Sequence, residues 1–466
     1  MRKLLLVAQL VGCTMIPRYE RPPLPVSDRF PGGGGTLAAA DQGWRKMFGD
    51  PRLQALIALA LANNRDLRVA ALNVEASRAQ YRIQRAKLMP TLSGLGSGSR
   101  LAGGALTSGV LGGGGGGAAV VPIPETFYVL GLNASWEFDL FGRLRSLKRQ
   151  ALESYLSTME AHRAAHLSLV GQVVTQYLVE RSYAEQYDIA VLTEKSTRET
   201  YDLTKELYDE GQRSELDLRA AEAQWQNVRG ALEQLSRLRV QAQNALVLLV
   251  GQPLPPNLPP PQPLATAQMI CDLAPGIPSQ VLLRRPDVLE AEHALLAANA
   301  NIGAARAQFF PKISLTGFAG TLSIAFKKLF SDGTGLLAFS TMIGQPIFTG
   351  GANIANLDNA HVQKQIKIAQ YEKVIQTAFR EVADALVARE TYERQLASQI
   401  AQVKAQEVRF DLSRERYKEG VAGYLDVLSA QNDLYAAQQT LIQLRADRLT
   451  NLADLYRALG GGWREN

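Results

Sequence analysis

The periodicity of this sequence predicts a mainly α protein built as a tandem repeat, with very long helices and four amphipathic strands per chain. Three observations carry that expectation. The stretch "RAKLMPTLS", Arg85 to Ser93, returns as "RAQFFPKIS", Arg306 to Ser314. A helical apolar period persists from Arg143 to about Tyr208 with no Pro and no Gly except Gly171. Between Tyr128 and Phe138 the period drops to two.

Composition narrows the setting. At 466 residues, with 46% hydrophobic and 20% charged side chains, the chain is long enough for two or three packed domains. His (4), Met (7) and Cys (2) are scarce, so few side chains suit metal or redox chemistry, and no cofactor is expected. The net charge of +6 is spread along helical segments rather than gathered with aromatics, which argues against nucleic-acid binding.

The chain opens "MRKLLLVAQLVGC", a basic start followed by a short apolar run. Residues 1–12 therefore read as a signal peptide. Leu10 to Cys13 resembles a bacterial lipobox, which would make Cys13 an acylated first residue of the mature protein. Thr14 in place of an aspartate implies outer-membrane sorting. With Cys13 acylated, Cys271 has no partner for an intramolecular disulfide, and packing must hold the fold. Residues 13–50, rich in Pro and Gly, read as an extended tether.

The first repeat is expected over 51–251. Its first helix starts at Pro51 and runs towards Pro90, where the missing N–H stops helical bonding. A strand candidate spans Leu92 to Leu101, followed by a loop with six glycines, Gly112 to Gly117. No Gly-Lys-Ser/Thr follows them, so the loop is not a phosphate cradle. The next strand places Tyr128, Leu130, Leu132, Ala134, Trp136 and Phe138 on one face and smaller or polar residues on the other. The long helix from Arg143 would measure about 100 Å at 1.5 Å per residue. Gly211 breaks it, Ser214 caps a returning helix with Asp217 three residues on, and that helix reaches Val250.

After a linker, 252–285, the second repeat (286–461) follows the same plan, leaving a short tail, 462–466. A helix begins after Pro286 and ends before Pro311. Ile313, Leu315, Gly317 and Ala319 then alternate with Lys312, Ser314, Thr316 and Phe318. Another strand candidate runs from Phe339 to Phe348, and a long helix starts near Ala352 with an apolar stripe through Tyr371, Val374, Ala378, Val382, Ala385, Tyr392, Leu396, Ile400 and Val403. "YKEG", Tyr417 to Gly420, answers "YDEG", Tyr208 to Gly211, and "LDVLSAQ" from Leu425 answers "LDLRAAE" from Leu216.

No run of about 20 apolar residues is available for a membrane-spanning helix. Four strands with an apolar face leave open edges, which hydrocarbon does not tolerate, so a closed wall needs several copies. Two chains would supply eight strands and three would supply twelve; eight leave little room for a lumen once side chains fill it. The strongest enzyme signal is the pair His162 and His166, two possible ligands on one helix face. It lacks the glutamate beside the first histidine that a zincin needs, and Glu160 is the one candidate third ligand nearby, so two polar residues on a solvated face are expected.

Several stretches resemble the TolC-like outer-membrane channel components of tripartite drug-efflux pumps, in the lipid-anchored branch typified by OprM and MtrE. They are "LVGCTMIPRYERP", "DPRLQALIALALANNRDLRVA", "FDLFGR", "RRPDVLEAEHALLAANANIGAARAQFFPKISLTG" and "NLADLYRALGGGW", and the match covers nearly the whole chain. The resemblance implies a homotrimer with a twelve-stranded outer-membrane barrel continued by a periplasmic helical tube. It implies as partners a periplasmic membrane-fusion adaptor and an inner-membrane, proton-driven pump of the RND type. The expected function is passive conduction of drugs, and hence multidrug resistance, without catalysis. Metal ions or secreted polypeptides are alternative cargoes, and a structural coiled-coil envelope lipoprotein is a further alternative.

The resemblance also places two helix turns at the periplasmic tip, as adaptor contacts. These are Tyr208, Gly211, Arg213 and Ser214 in the first half, and Tyr417, Glu419, Gly420 and Gly423 in the second. Gly211 and Gly420 are explained equally by left-handed backbone at a helix end. Glu419 and Arg213 are expected to be exposed. The branch's constriction uses a leucine matching Leu425 and an aspartate matching Ser429. The acid is thus absent here, and its role falls to Asp433 one helical turn on or to no residue. Asp426 is accounted for by the helix dipole and capping.

Overall fold

The computed structural model describes residues 14–30, 43–100, 126–267 and 279–461. Cys13, the segment 1–12, Leu101, the glycine run Gly112–Gly117, Cys271 and the tail 462–466 lie outside the described residues. The elements in order are α1 (Trp44–Met47), α2 (Pro51–Asn63), α3 (Arg65–Ala86), β1 (Thr91–Arg100), β2 (Thr126–Phe138), α4 (Arg143–Asp209), α5 (Glu215–Val250), α6 (Pro286–Ala307), β3 (Lys312–Ser323), β4 (Gly335–Gly344), α7 (Ala352–Lys418) and α8 (Tyr424–Ala458). No described helix is long and apolar enough to cross a membrane.

The chain divides into two compact units that interleave in sequence. One takes in Asn73–Met159 and Glu290–Tyr371 with the N-terminal stretch to Pro23. The other takes in Leu24–Leu72, Glu160–Leu289 and Glu372–Asn466.

The first unit carries the sheet and the helical ends that feed it. Its N-terminal stretch is seated on α6: Arg21 grips Glu292 through two hydrogen bonds of 2.8 and 2.6 Å, and Asn299 donates to the Pro17 carbonyl at 2.9 Å. Gly303 is required there, because a Cβ would lie 2.6 Å from the Ile16 side chain. Deeper in this unit the buried Glu153 carboxylate is satisfied by Arg149 at 2.6 Å and His293 at 2.8 Å.

The second unit has the main core. Trp44, Phe48, Leu53, Leu56 and Ile57 pack with Val173, Val174 and Tyr177 of α4, Leu246 and Val250 of α5, and Leu449 and Tyr456 of α8. Asp50 organises the entry to α2: its side chain accepts from the Arg52 and Leu53 amides and from the Tyr177 hydroxyl at 2.6 Å. Burial, with Asp50 alongside, raises the Tyr177 pKa and keeps the phenol neutral.

Three expectations about elements change. The helix expected from Pro51 towards Pro90 is two helices. Asn64 is extended between them; its Oδ1 accepts the Leu67 amide at 2.9 Å and its Nδ2 donates to the Leu249 carbonyl at 2.8 Å. Asparagine at a cap outcompetes an unbroken helix because it satisfies the amides of the new start. The fourth strand is Gly335–Gly344 rather than Phe339 to Phe348. Pairing with β3 fixes its register through Lys312↔Gly344, and Pro346 has no amide to extend the ladder. On α7, Tyr371, Ala378, Val382, Ala385 and Val403 of the expected stripe are buried, but Ile400 is exposed.

Candidate functional site: the helix turns and the sheet

Both helix turns share one construction. At the first, Gly211 has φ +74°, its amide reaches the Tyr208 carbonyl at 2.9 Å, and the Gln212 amide reaches Leu207 at 2.8 Å. At the second, Gly420 has φ +72°, its amide reaches Tyr417 at 3.1 Å, and the Val421 amide reaches Arg416 at 2.9 Å. These paired bonds close a helix end around a left-handed residue. The restarts differ: Ser214 caps α5 by accepting the Asp217 amide at 3.2 Å, whereas Gly423 caps α8 without a side chain.

The matching tyrosines are not equivalent. Tyr208 is 36% exposed, while Tyr417 is 3% exposed in a small core with Tyr424, Val427 and Ala221. Tyr417 and Tyr424 meet edge to face at 5.9 Å. Burial, reinforced by Tyr417 and Asp217, pushes the Tyr424 phenol up to about 12. Arg213 is not the exposed residue that was expected. Its guanidinium lies 4.4 Å from the Tyr417 ring centroid and donates to the Tyr417 carbonyl at 3.3 Å, so it ties the first turn to the second. Glu419 is exposed as expected.

Leu425 is 74% exposed, between buried Tyr424 and Val427. Asp426 is exposed in the first turn of α8. Ser429 and Asp433 share a partner that the sequence reading missed. Arg409 of α7 donates to Asp433 Oδ2 at 2.5 Å and to Ser429 Oγ at 3.2 Å. A signal was present: Arg409 and Asp433 lie equally far in sequence from Val421 at the turn, so an antiparallel helix pair sets them level.

The sheet is antiparallel throughout, in the order β1-β2-β3-β4, with β1 and β4 as its end strands. Registers of Leu92↔Ala134, Leu132↔Ala319, Trp136↔Leu315, Ile313↔Ile343 and Ala319↔Leu337 join the apolar residues into one face. Registers of Ser93↔Asn133, Ser135↔Thr316 and Thr316↔Ser340 place hydroxyls and an amide on the opposite face. Gly131 and Gly320 face each other where no side chain fits, since a Cβ on Gly320 would lie 2.3 Å from the Leu130 carbonyl oxygen. Phe318 covers the gap from the polar face. Phe141 and Phe310 stack at 4.7 Å near the helical end of the sheet.

His162 and His166 are half-buried rather than on a solvated face, and Glu160 pairs with Arg163 at 2.5 Å. Among the described residues no group of three or more His, Cys, Asp or Glu is placed to hold a metal ion.

A sheet greasy on one face and polar on the other, with β2 and β4 each followed by a helix of 67 residues, has counterparts in known proteins. The outer membrane efflux protein family profile matches residues 56–252 and 277–461. The chain belongs to the outer membrane efflux protein family. Similar relatives include the probable efflux pump outer membrane protein TtgC of Pseudomonas putida, 45% identical over 98% of this chain and 94% of that one. The cation efflux system protein CusC of Escherichia coli is 40% identical over 98% of this chain and 97% of its own. Among solved structures, the open state of the Neisseria gonorrhoeae MtrE outer membrane channel superposes with a TM-score of 0.86 at 41% identity, covering 97% of this chain and 99% of that one. The TolC-like resemblance read from the sequence motifs is therefore correct, and this efflux protein is a component of the outer membrane.

Proposed function

We propose that three copies of this efflux protein form the passive exit duct of a tripartite multidrug efflux pump. The observation that supports this best is the sheet. Its end strands each carry an open edge, and hydrocarbon requires every backbone group to be paired, so four strands must close with those of other copies. Twelve strands give a lumen wide enough for transport, with the apolar face towards lipid and the hydroxyl-rich face towards water. The duct performs no catalysis. It receives cargo from a proton-driven inner-membrane pump of the RND type through a periplasmic adaptor.

Cys13 anchors the mature chain through acylation. The turns at Tyr208–Ser214 and Tyr417–Gly423 contact the adaptor, with exposed Glu419 as part of that surface. At rest, a ring of three Leu425 side chains closes the tip. Asp433 supplies no acidic ring, because Arg409 engages its carboxylate within the same chain.

Purified protein tests this reading directly. Cross-linking in detergent is expected to give three chains, and reconstitution into planar bilayers is expected to give discrete conductance. A folded monomer that conducts would overturn it. Organic cargo is favoured by relatives named for toluene, solvent and antibiotic efflux at 42–45% identity. Cation efflux is the second reading, supported by CusC at 40% identity. Deleting the chain's gene should sensitise cells to organic antibiotics and toluene for the first reading, or to transition-metal salts for the second.

A further inference from the structure

The two ends of the sheet differ in how they handle charge. At the end joined to the helices, Arg143 binds Glu137 at 2.8 Å and Arg145 binds Asp139 at 3.2 Å, and Lys312 is the exposed cation. At the opposite end, Arg100, Lys327 and Lys328 are all exposed. The sequence holds Glu125 between Arg100 and Thr126 and Asp332 between Lys312 and Gly344, so the three cations outnumber the two carboxylates of these hairpins by one.

Arg100 is placed on the apolar side. Gly98 pairs with Tyr128 and Arg100 with Thr126, so Arg100 falls on the face that Tyr128 shares with Leu130 and Leu132. Phe326 opens the turn Phe326–Lys328, and its ring meets Tyr128 edge-on at 5.5 Å. Even so, Phe326 remains 69% exposed, and Ile324 and Phe330 beside it are exposed too. Exposed aromatic rings at the boundary of an apolar wall, with lysine and arginine next to them, match the depth at which hydrocarbon gives way to headgroups.

We infer that Arg100, Tyr128, Phe326, Lys327 and Lys328 form a lipid-binding rim that takes the phosphate groups of outer-leaflet lipids. The rings lie against the upper acyl carbons and the three cations contact the headgroup phosphates. Continuity with the apolar face and the charge surplus select this occupant over a second copy of the chain. The inference rests on reading the sheet as a membrane wall.

The test uses the full-length assembly in neutral detergent, with diphosphoryl lipid A as probe and phosphatidylethanolamine as control. Lipid retention is read by native mass spectrometry. Combining Arg100→Gln, Lys327→Gln and Lys328→Gln should cut lipid A retention at least about ten-fold and leave phosphatidylethanolamine unchanged, with the wild-type advantage shrinking at high salt. Phe326→Ala should lower retention of both lipids. Equal lipid A retention by wild type and triple variant would overturn the inference. So would dissociation of the triple variant into single chains, because the cations would then serve contacts between copies. A wild-type protein that fails to insert into lipid bilayers defeats the membrane-wall reading itself, whereas one that inserts but retains lipid A no better than the variant defeats the rim alone.

Discussion

Tyr424 and Leu425 are neighbours with opposite assignments. Tyr424 fills the small core under the second turn, and Leu425 points away from it at 74% exposure. Tyr424→Ala should therefore destabilise the turn by about 3 kcal/mol, seen as faster hydrogen exchange over 417–428. Leu425→Ser should leave that exchange unchanged and raise resting conductance, since three mutually buried leucines would contribute about 1.5–3 kcal/mol each to closure. Unchanged conductance in an assembled variant would place the closure elsewhere. Tyr424 also sets a pH limit. Its folded pKa is raised from 10.0 to about 12, so its contribution is complete below pH 10 and is lost as pH rises through about 12. The difference in tyrosinate absorbance between wild type and Tyr424→Phe should show one phenol titrating near that upper value.

Elements depend on a few positions where a side chain cannot fit. Gly320→Val would drive a Cβ into the Leu130 carbonyl and the Gly131 backbone, whereas a Cβ on Gly94 meets nothing within 4 Å. Gly320→Val should abolish the assembled species on unheated gels, and Gly94→Val should preserve it. At the turns, Gly420→Ala puts a side chain at φ +72° and should cost about 1 kcal/mol. The sharper test of adaptor contact is Glu419→Arg, an exposed change expected to lower drug resistance without lowering assembly. Arg213→Glu cannot make that distinction, because Arg213 stacks on Tyr417 and its loss loosens the turn itself. Arg409→Gln should change stability by less than about 1 kcal/mol, as both partners of its ion pair are half exposed.

For the whole molecule, folding and assembly are expected to be inseparable. Isolated chains expose two strand edges, so cross-linked trimer and folded sheet should disappear together as detergent is made harsher. The proposed acylation at Cys13 would add about 0.8 kcal/mol per buried CH₂ to the hold of the proposed barrel. Cys13→Ser should then lose the lipid, as intact mass would report, while some protein remains in the outer membrane.

The sequence by itself determined the repeat, the long helices, the strand faces and the two glycine turns. Each follows from local rules: a period of 3.6 or 2, a proline that lacks an amide, a glycine that accepts positive φ. The motifs carried the family as well. Only the tertiary structure decided which of two similar tyrosines is buried, where β4 begins, and which cation faces Asp433. Those outcomes depend on neighbours distant in sequence. Tyr417 is enclosed by Tyr424 and Ala221, β4 is set by its ladder with β3, and Arg409 reaches Asp433 across an antiparallel helix pair. A one-dimensional pattern fixes the face a residue occupies, but the partner on that face is chosen by packing between elements.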